Sequence, residues 1–163
     1  MDLAKRNLTD IQRYIEFLEQ HNHLIRVKSE VDPLFELAGI AKRFEGGKAL
    51  LFERVKGYDY SVLIGLYWNR GLLAKLLQTD SARLPFVLSD EIRAWQQSPS
   101  EPVIVKQGPA NEVVEPTPDL GKLPIPHHAE GDGGRYLTSS VVIAKDPDTG
   151  VRNLSIHRMM VTG

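Results

Sequence analysis

Apolar residues recur every three or four positions near the start of the chain. Between residues 11 and 18 this spacing predicts an amphipathic helix, which is expected to run over residues 11–21. The sequence TDIQ at 9–12 fits a capping box with Thr9 as the N-cap, because its polar side chains can bond the free amides of a first turn. The first element is therefore predicted to be a capped helix.

Strand-length apolar runs then alternate with helical patterns. Strands are predicted over residues 24–27, 49–55 and 60–66. A second helix is predicted to begin at Asp32-Pro33, where an N-cap is followed by Pro at the first helical position. A third is predicted over residues 69–77, and a fourth is predicted to be capped by Ser89 and to run to about Gln97. Because helices and strands alternate over roughly the first hundred residues, the pattern predicts a small α/β domain.

Proline changes the character of the chain after this alternation. Seven of the ten prolines lie in residues 99–126. Because proline fixes φ and removes a backbone donor, residues 98–126 are predicted to form an extended connector rather than a core. The expected organisation is a first domain over residues 1–115 and a second unit over residues 116–163.

The second unit is predicted to contain a β-hairpin. β-prone runs at 141–144 and 151–161 flank DPDTG at 146–150, in which Asp starts a turn, Pro presets φ and Gly provides a left-handed exit. With that loop, Lys145 opposes Val151. The same register places Ser140 opposite Ile156.

This register also places Thr138 opposite Arg158, on the same face as Ser140 and Ile156. A guanidinium and two hydroxyls around an apolar side chain suit an anionic ligand with a flat apolar body. Asn153 is an odd number of residues from Arg158, so a regular strand directs it to the opposite face. A single site that includes Asn153 and Arg158 therefore requires a bulge, or a place for Asn153 beyond the paired region.

Two other polar clusters invite functional interpretations. The sequence GDGG at 131–134 lacks the Gly-Lys-Ser/Thr ending of a phosphate loop, so a loop with positive φ is favoured. His127 and His128, followed by Glu130 and Asp132, could bind a metal. Adjacent side chains of an extended chain point to opposite sides, so surface or hydrogen-bonding histidines are favoured over a shared metal site.

Composition excludes several classes of function. The chain has 163 residues, 42% hydrophobic and 25% charged, with a net charge of −1 and no cysteine. These values are typical of a soluble globular protein, and they favour neither nucleic-acid binding nor disulfides or thiolate chemistry. No apolar stretch is long enough to cross a membrane, and no signal core is present, so a cytoplasmic location is expected.

Four ordered segments resemble the UbiD family of decarboxylases. They are LPIPHH at 123–128, GDGGRYLT at 131–138, KDPDTG at 145–150 and NLSIHR at 153–158, and the upstream VDP at 31–33, ALLFE at 49–53 and VKG at 55–57 are similar too. The resemblance implies an α/β (α+β) fold, with a UbiD-type N-terminal domain followed by the first strands of a flavin-binding split β-barrel. It also implies reversible decarboxylation of aromatic or α,β-unsaturated carboxylic acids with prenylated FMN.

The resemblance assigns roles to five residues. Asn153 is expected to bind the divalent metal that holds the cofactor phosphate, with Mn²⁺ as the metal and K⁺ as an additional candidate. Arg158 is expected to be catalytic, as part of a Glu–Arg–Glu network, and also to contact the cofactor. Thr138, Ser155 and Ile156 are expected to line the cofactor site.

The family's other metal ligands and its catalytic glutamates correspond to positions after Gly163. The chain is therefore expected to be the N-terminal part of a decarboxylase and to be inactive alone. The alternative is a short non-catalytic binding or assembly subunit of a split decarboxylase or carboxylase complex. The resemblance further implies a flavin prenyltransferase that supplies the cofactor, and a homo-oligomer for the complete enzyme.

Overall fold

The structure, a computed structural model, describes residues 10–99 and 103–162. It confirms a mixed α/β fold, and the described residues form no closed barrel. The helices are α1 (Ile11–Gln20), α2 (Glu36–Arg43), α3 (Arg70–Leu76) and α4 (Leu84–Gln97). The strands are β1 (Leu24–Val31), β2 (Ala49–Val55), β3 (Val62–Ile64), β4 (Tyr136–Leu137), β5 (Val141–Lys145), β6 (Arg152–Ile156) and β7 (Met159–Met160).

The chain divides into two compact units. The first comprises the described residues of 1–23 and 66–119 and contains α1, α3 and α4. The second comprises those of 24–65 and 120–163 and contains α2 and all seven strands. Across the described ranges, none of the helices combines the length and the apolarity needed to cross a membrane. The domain boundary between residues 115 and 116 stays a prediction.

Helix α1 begins where the sequence predicted, but with a different cap. Thr9, the predicted cap, lies outside the described residues. Instead, Oδ1 of Asp10 accepts hydrogen bonds from the backbone N–H groups of Gln12 and Arg13, at 2.8 and 3.1 Å. On the buried side of α1, the Tyr14 hydroxyl donates to the backbone oxygen of Leu66 at 3.3 Å, and burial raises the pKa of this tyrosine.

Two other helix starts differ from the expectation. Helix α4 begins at Leu84 instead of Ser89, because Pro85 occupies its first turn, where the missing N–H costs nothing. Helix α2 begins at Glu36 rather than at Asp32-Pro33. Asp32 instead accepts the N–H of Leu34 in a tight turn at 2.9 Å, and Phe35 adopts a φ of +67° before the helix starts. Helix α3 begins at Arg70, one residue after the predicted start, because the side chain of Asn69 caps it by accepting the N–H of Leu72 at 3.0 Å.

Strand β2 is the centre of the second unit's main sheet. The strand order is β1-β2-β3, with β1 parallel and β3 antiparallel to β2. Ala49, Leu50 and Phe52 of β2 are completely buried, and Leu37 of α2 is buried as well. A strand paired on both edges and buried on both faces explains why ALLF is an unbroken apolar run.

The hairpin of β5 and β6 is confirmed, but its predicted register is wrong by one residue. Lys145 pairs with Arg152 rather than Val151, and Ile156 pairs with Val141 rather than Ser140. The loop is longer by one residue because Oδ1 of Asp146 accepts the N–H groups of residues 148 and 149, at 2.9 and 2.7 Å. Gly150, with a φ of +73°, then returns the chain to the second strand.

The outer part of the hairpin keeps the register that the sequence predicted. Tyr136 pairs with Met160 and Leu137 with Met159. Between the outer and inner ladders, the first strand contributes residues 138–140, whereas the second contributes only residues 157 and 158. This extra residue makes a β-bulge, and it ends the outer ladder before Thr138 could pair with Arg158.

Candidate functional site

The bulge lies where several of the sequence-predicted site residues meet. Thr138 belongs to its longer side, Arg158 to its shorter side, and Ile156 is the last residue of β6 before it. Bulges redirect side chains and are common next to active sites. The extra residue belongs to the first strand, whereas Asn153 and Arg158 both lie on the second, so it does not by itself bring these two side chains to one face. A single site for Asn153 and Arg158 stays a prediction.

Arg158 contacts an aromatic ring at the bulge. Its guanidinium carbon is 4.7 Å from the centre of the Tyr136 ring, which is within the range of a cation–π contact of about 6 Å. Tyr136 is half-buried and is held by its pairing with Met160. Sequence reasoning missed Tyr136 as a partner of Arg158.

A cavity of about 270 Å³ adjoins the same strand. Its lining includes Tyr136 and Thr138, the strand β3, His128 and the proline-containing segment 123–126. Every lining residue belongs to the second unit. The walls combine aliphatic and proline carbons with a few hydroxyl groups, as is usual for small-molecule sites.

The other predicted site residues lie on β6. Asn153 pairs with Ala144 and Ser155 with Val142, so these two polar side chains share one face of the strand. Ile156 lies on the opposite face, across from Val141. The expected single face of Thr138, Ser140, Ile156 and Arg158 is therefore wrong for Ser140, because the bulge changes the register between the two ladders.

Asn153 offers one possible metal ligand. Its amide oxygen is an appropriate ligand for a hard divalent cation, and the side chain is exposed. Residues 10–99 and 103–162, however, contain no group of three or more His, Cys, Asp or Glu that could hold a metal.

His127 has a structural environment that favours the non-metal interpretation. Its backbone N–H donates to Pro33 at 3.0 Å, and its carbonyl accepts the N–H of Phe35 at 3.0 Å. Its ring lies 4.9 Å from the ring of Phe35, and Nε2 is 3.2 Å from the backbone oxygen of Asp132. This histidine therefore joins the turn before α2 to the glycine-rich loop.

The glycines of GDGG do not have the positive φ that the sequence led us to expect. Their small size is used for close contact instead. A Cβ on Gly133 would lie 3.3 Å from Sδ of Met160 and 3.7 Å from Oη of Tyr136, and one on Gly134 would lie 3.5 Å from Cγ of Met160. The loop can thus pack against the outer ladder that carries Tyr136.

Two family models match most of the chain. Residues 15–92 match the 3-octaprenyl-4-hydroxybenzoate carboxy-lyase N-terminal domain, UbiD_N. Residues 102–163 match the Rift-related domain of the same carboxy-lyase, UbiD. Both models describe domains of one enzyme family.

Individual proteins show the same similarity. An uncharacterised protein of Rhodospirillum rubrum is 52% identical over 98% of this chain and 35% of its own length. The phenolic acid decarboxylase of Sedimentibacter hydroxybenzoicus is 33% identical over 93% of this chain and 34% of its own. The prFMN complex of the UbiD-class enzyme HmfF from Pelotomaculum thermopropionicum has a TM-score of 0.83 and 41% identity, covering 93% of this chain and 36% of that one. The chain therefore spans about a third of the length of these proteins.

Proposed function

This chain belongs to the UbiD family, and on that premise we propose that the protein is a reversible, non-oxidative carboxy-lyase that uses prenylated FMN. Its substrates are aromatic or α,β-unsaturated carboxylic acids, and Mn²⁺, with K⁺ as an additional ion, holds the cofactor phosphate. HmfF, at 41% identity, is a UbiD-class enzyme in complex with prFMN, and this supports the choice of cofactor.

The position of Arg158 is the observation that carries this proposal. The side chain lies at the bulge, over a ring that lines the cavity. A guanidinium binds a carboxylate through two parallel N–H···O bonds, so Arg158 can fix the acid group that is to be lost. It cannot return the proton, because arginine stays protonated at ordinary pH, and a separate acid must do so.

The remaining predicted residues hold the cofactor in this proposal. Asn153 would contribute one oxygen to the metal, and Ser155 lies on the same face of β6. Thr138 and Ile156, which lie next to the bulge on the two strands, would line the flavin site. The bound prenylated flavin supplies the electron sink that decarboxylation requires.

The proposal concerns the protein with its complete native sequence, because this chain covers about a third of its relatives. Asn153 alone is too weak to retain a metal, and residues 10–99 and 103–162 contain no group of three or more His, Cys, Asp or Glu that could hold one. In this proposal the remaining metal ligands and the proton donor come from other parts of the protein. The protein is further proposed to be cytoplasmic, to form a homo-oligomer and to receive its cofactor from a flavin prenyltransferase.

The experiment is a decarboxylation assay on the protein co-produced with a flavin prenyltransferase and supplied with Mn²⁺. Aromatic and α,β-unsaturated acids are offered in turn, and loss of the acid is followed by chromatography. Wild type is expected to turn over at least one acid. Arg158→Ala removes one cofactor contact but leaves Asn153, so it is expected to retain most of its bound flavin. At equal flavin content it is expected to lose at least about 100-fold in kcat/KM, because the group that binds the reacting carboxylate is gone.

Asn153→Ala is the complementary variant, since it is expected to reduce bound flavin and Mn²⁺ together. Lys106→Ala, which changes an exposed cation of the first unit, serves as the control and is expected to change neither activity nor cofactor content. Failure of every acid with a fully flavinated protein would reject the proposal. A protein that binds neither flavin nor metal would instead favour the binding or assembly subunit.

A further inference from the structure

Arg158 is held through the face of its guanidinium and not through its edge. The guanidinium carbon lies 4.7 Å from the centre of the Tyr136 ring. Within residues 10–99 and 103–162, no hydrogen bond or ion pair of Arg158 is found. Among the described residues, the cation–π contact with Tyr136 is therefore the interaction that orients the Arg158 side chain.

The strand geometry explains why the two side chains meet. Tyr136 pairs with Met160, and Arg158 precedes Met160 by two residues. Residues two apart on a strand lie on the same face, so Arg158 is the diagonal neighbour of Tyr136 across the ladder. The bulge begins at this point and prevents Thr138 from pairing with Arg158.

Tyr136 is itself fixed by contacts on both sides. The neighbouring Arg135 donates from Nη1 to the hydroxyl of Tyr58 at 3.1 Å, and its carbonyl accepts the N–H of Val161 at 2.9 Å. The close approach of Gly133 places the glycine-rich loop against the Tyr136 hydroxyl and the Met160 side chain. The ring is therefore a fixed surface on which a flexible arginine can rest.

A stacked arginine keeps its hydrogen-bonding edge available. The five N–H donors of a guanidinium lie in its plane, whereas the ring contacts its face. A carboxylate residue in the same position would occupy those donors and compete with an acidic substrate. An aromatic ring orients the cation without this competition.

We propose that Tyr136 is the positioning residue for Arg158, and that its ring holds the guanidinium so that the N–H edge meets the substrate carboxylate. This inference rests on the proposed function, because it takes Arg158 as the group that binds the acid. It assigns a role to Tyr136, which neither the sequence pattern nor the family resemblance identified.

The test compares Tyr136→Leu with Tyr136→Phe in the protein with its complete native sequence. Leu removes the ring, so kcat/KM for an acid that wild type decarboxylates is expected to fall about 2- to 30-fold. Phe keeps the ring and is expected to restore most of that loss. Tyr60→Leu, at an exposed tyrosine of the same unit, is the matched control and is expected to leave kcat/KM unchanged.

A second measurement separates positioning from simple space-filling. Protein with isotope-labelled arginine reports the Arg158 Nε–Hε signal by NMR, and Arg158→Lys identifies it. The ring is expected to shift this signal upfield in wild type and in Tyr136→Phe, and the shift is expected to be lost in Tyr136→Leu. If Tyr136 only filled space, Tyr136→Phe would keep its activity, but neither wild type nor this variant would show the upfield shift of the Arg158 Nε–Hε signal.

The outcomes distinguish the two proposals. An active enzyme without the ring-current shift, or one whose kcat/KM is unaffected by Tyr136→Leu at full flavin content, would overturn the positioning role alone. A shifted Arg158 signal in a fully flavinated protein that decarboxylates no acid would overturn the proposed function, and the catalytic role of the contact with it. Loss of the shift together with loss of kcat/KM in the Leu variant supports both.

Discussion

Strand β2 and the hairpin of β5 and β6 have similar apolar sequences but opposite environments. Phe52 of β2 is 0% exposed, whereas Ile156 of β6 is 77% exposed. The hairpin's apolar face consists of Val141, Ile143, Leu154 and Ile156, all of which are more than half exposed. Strand β2 has neighbours on both edges, whereas β5 and β6 pair only with each other among the described residues.

The difference shows that the two regions use apolar residues for different purposes. In β2 they form the core that stabilises the second unit, because burial of apolar area is the main favourable contribution to folding. A two-stranded ribbon is at best marginally stable in water and cannot bury such a face by itself. The hairpin is therefore a surface that presents residues, and its bulge sets where Thr138 and Arg158 lie.

The largest expected effect follows from truncating the core. Phe52→Ala is expected to lower the free energy of unfolding by about 3–5 kcal/mol, because it removes a fully buried ring and leaves a cavity. The matched truncation Ile156→Ala, in the hairpin, is expected to change it by less than about 0.5 kcal/mol. Urea denaturation followed by circular dichroism measures both values.

Equal costs for the two truncations in the 163-residue chain would break this comparison. The same Ile156→Ala truncation in the protein with its complete native sequence tests whether the hairpin face is exposed there too. If Ile156→Ala costs more than about 1 kcal/mol there, the exposed face of the hairpin is covered by other parts of that protein.

A smaller and local effect is expected at the hairpin turn. Asp146→Ala removes the acceptor for the N–H groups of Asp148 and Thr149. Amide hydrogen exchange in β5 and β6 is expected to accelerate about five-fold, as the loss of about one net hydrogen bond implies. Exchange in β2 is expected to stay the same.

Two control variants accompany this measurement. Asp146→Asn keeps an acceptor oxygen and is expected to retain most of the protection. Asp148→Ala leaves the backbone donors in place and is expected to resemble wild type. If Asp146→Ala accelerated exchange in β2 as strongly as in the hairpin, the two regions would be one cooperative unit.

The smallest expected effect concerns pH and the sheet region. The N–H of Leu34, followed by the Lys56 ammonium at 3.0 Å, lowers the pKa of Asp32 from its ordinary 3.8. A carboxyl group with a lowered pKa stabilises the fold above its ordinary pKa, and this contribution is lost as the pH falls through the folded value. The urea midpoint of wild type is thus expected to exceed that of Asp32→Asn at neutral pH.

The difference in urea midpoint between wild type and Asp32→Asn is expected to shrink as the solution is acidified below pH 3.8. Asp59→Asn, which changes another exposed aspartate of the second unit, is the control and is expected to have no such pH-dependent effect. If the difference in urea midpoint stayed constant on acidification, the ion pair of Asp32 with Lys56 and its hydrogen bond from Leu34 would not stabilise the sheet.

The fold class was predictable because alternating helical and strand-length patterns reflect burial, which the apolar spacing of residues records. The hairpin was predictable because DPDTG carries its own turn chemistry. The register was not predictable, because Asp146 accepts the N–H groups of residues 148 and 149 and the loop becomes one residue longer than the predicted 146–150. No turn residue marks the bulge at residues 138–140.

The candidate site was predictable in part. Arg158 and Thr138 were identified as candidates, and their roles as catalytic and cofactor-binding residues stay predictions. Tyr136 was missed because an aromatic residue on a strand usually indicates a packed core, and its partner lies 22 positions away in the sequence. Phe35 was missed for the same reason, since its contact with His127 depends on the tertiary structure.

The central proposal is that the hairpin forms one wall of a flavin site whose other groups belong to parts of the protein not included in this chain, which spans about a third of the length of its relatives. Titration with prenylated FMN and Mn²⁺, together with an assay of acid consumption, tests this claim most directly when the 163-residue chain is compared with the protein of complete native sequence. The account predicts tight binding and turnover by the complete protein, and neither by the 163-residue chain. A flavin-coloured and active preparation of the 163-residue chain would contradict it.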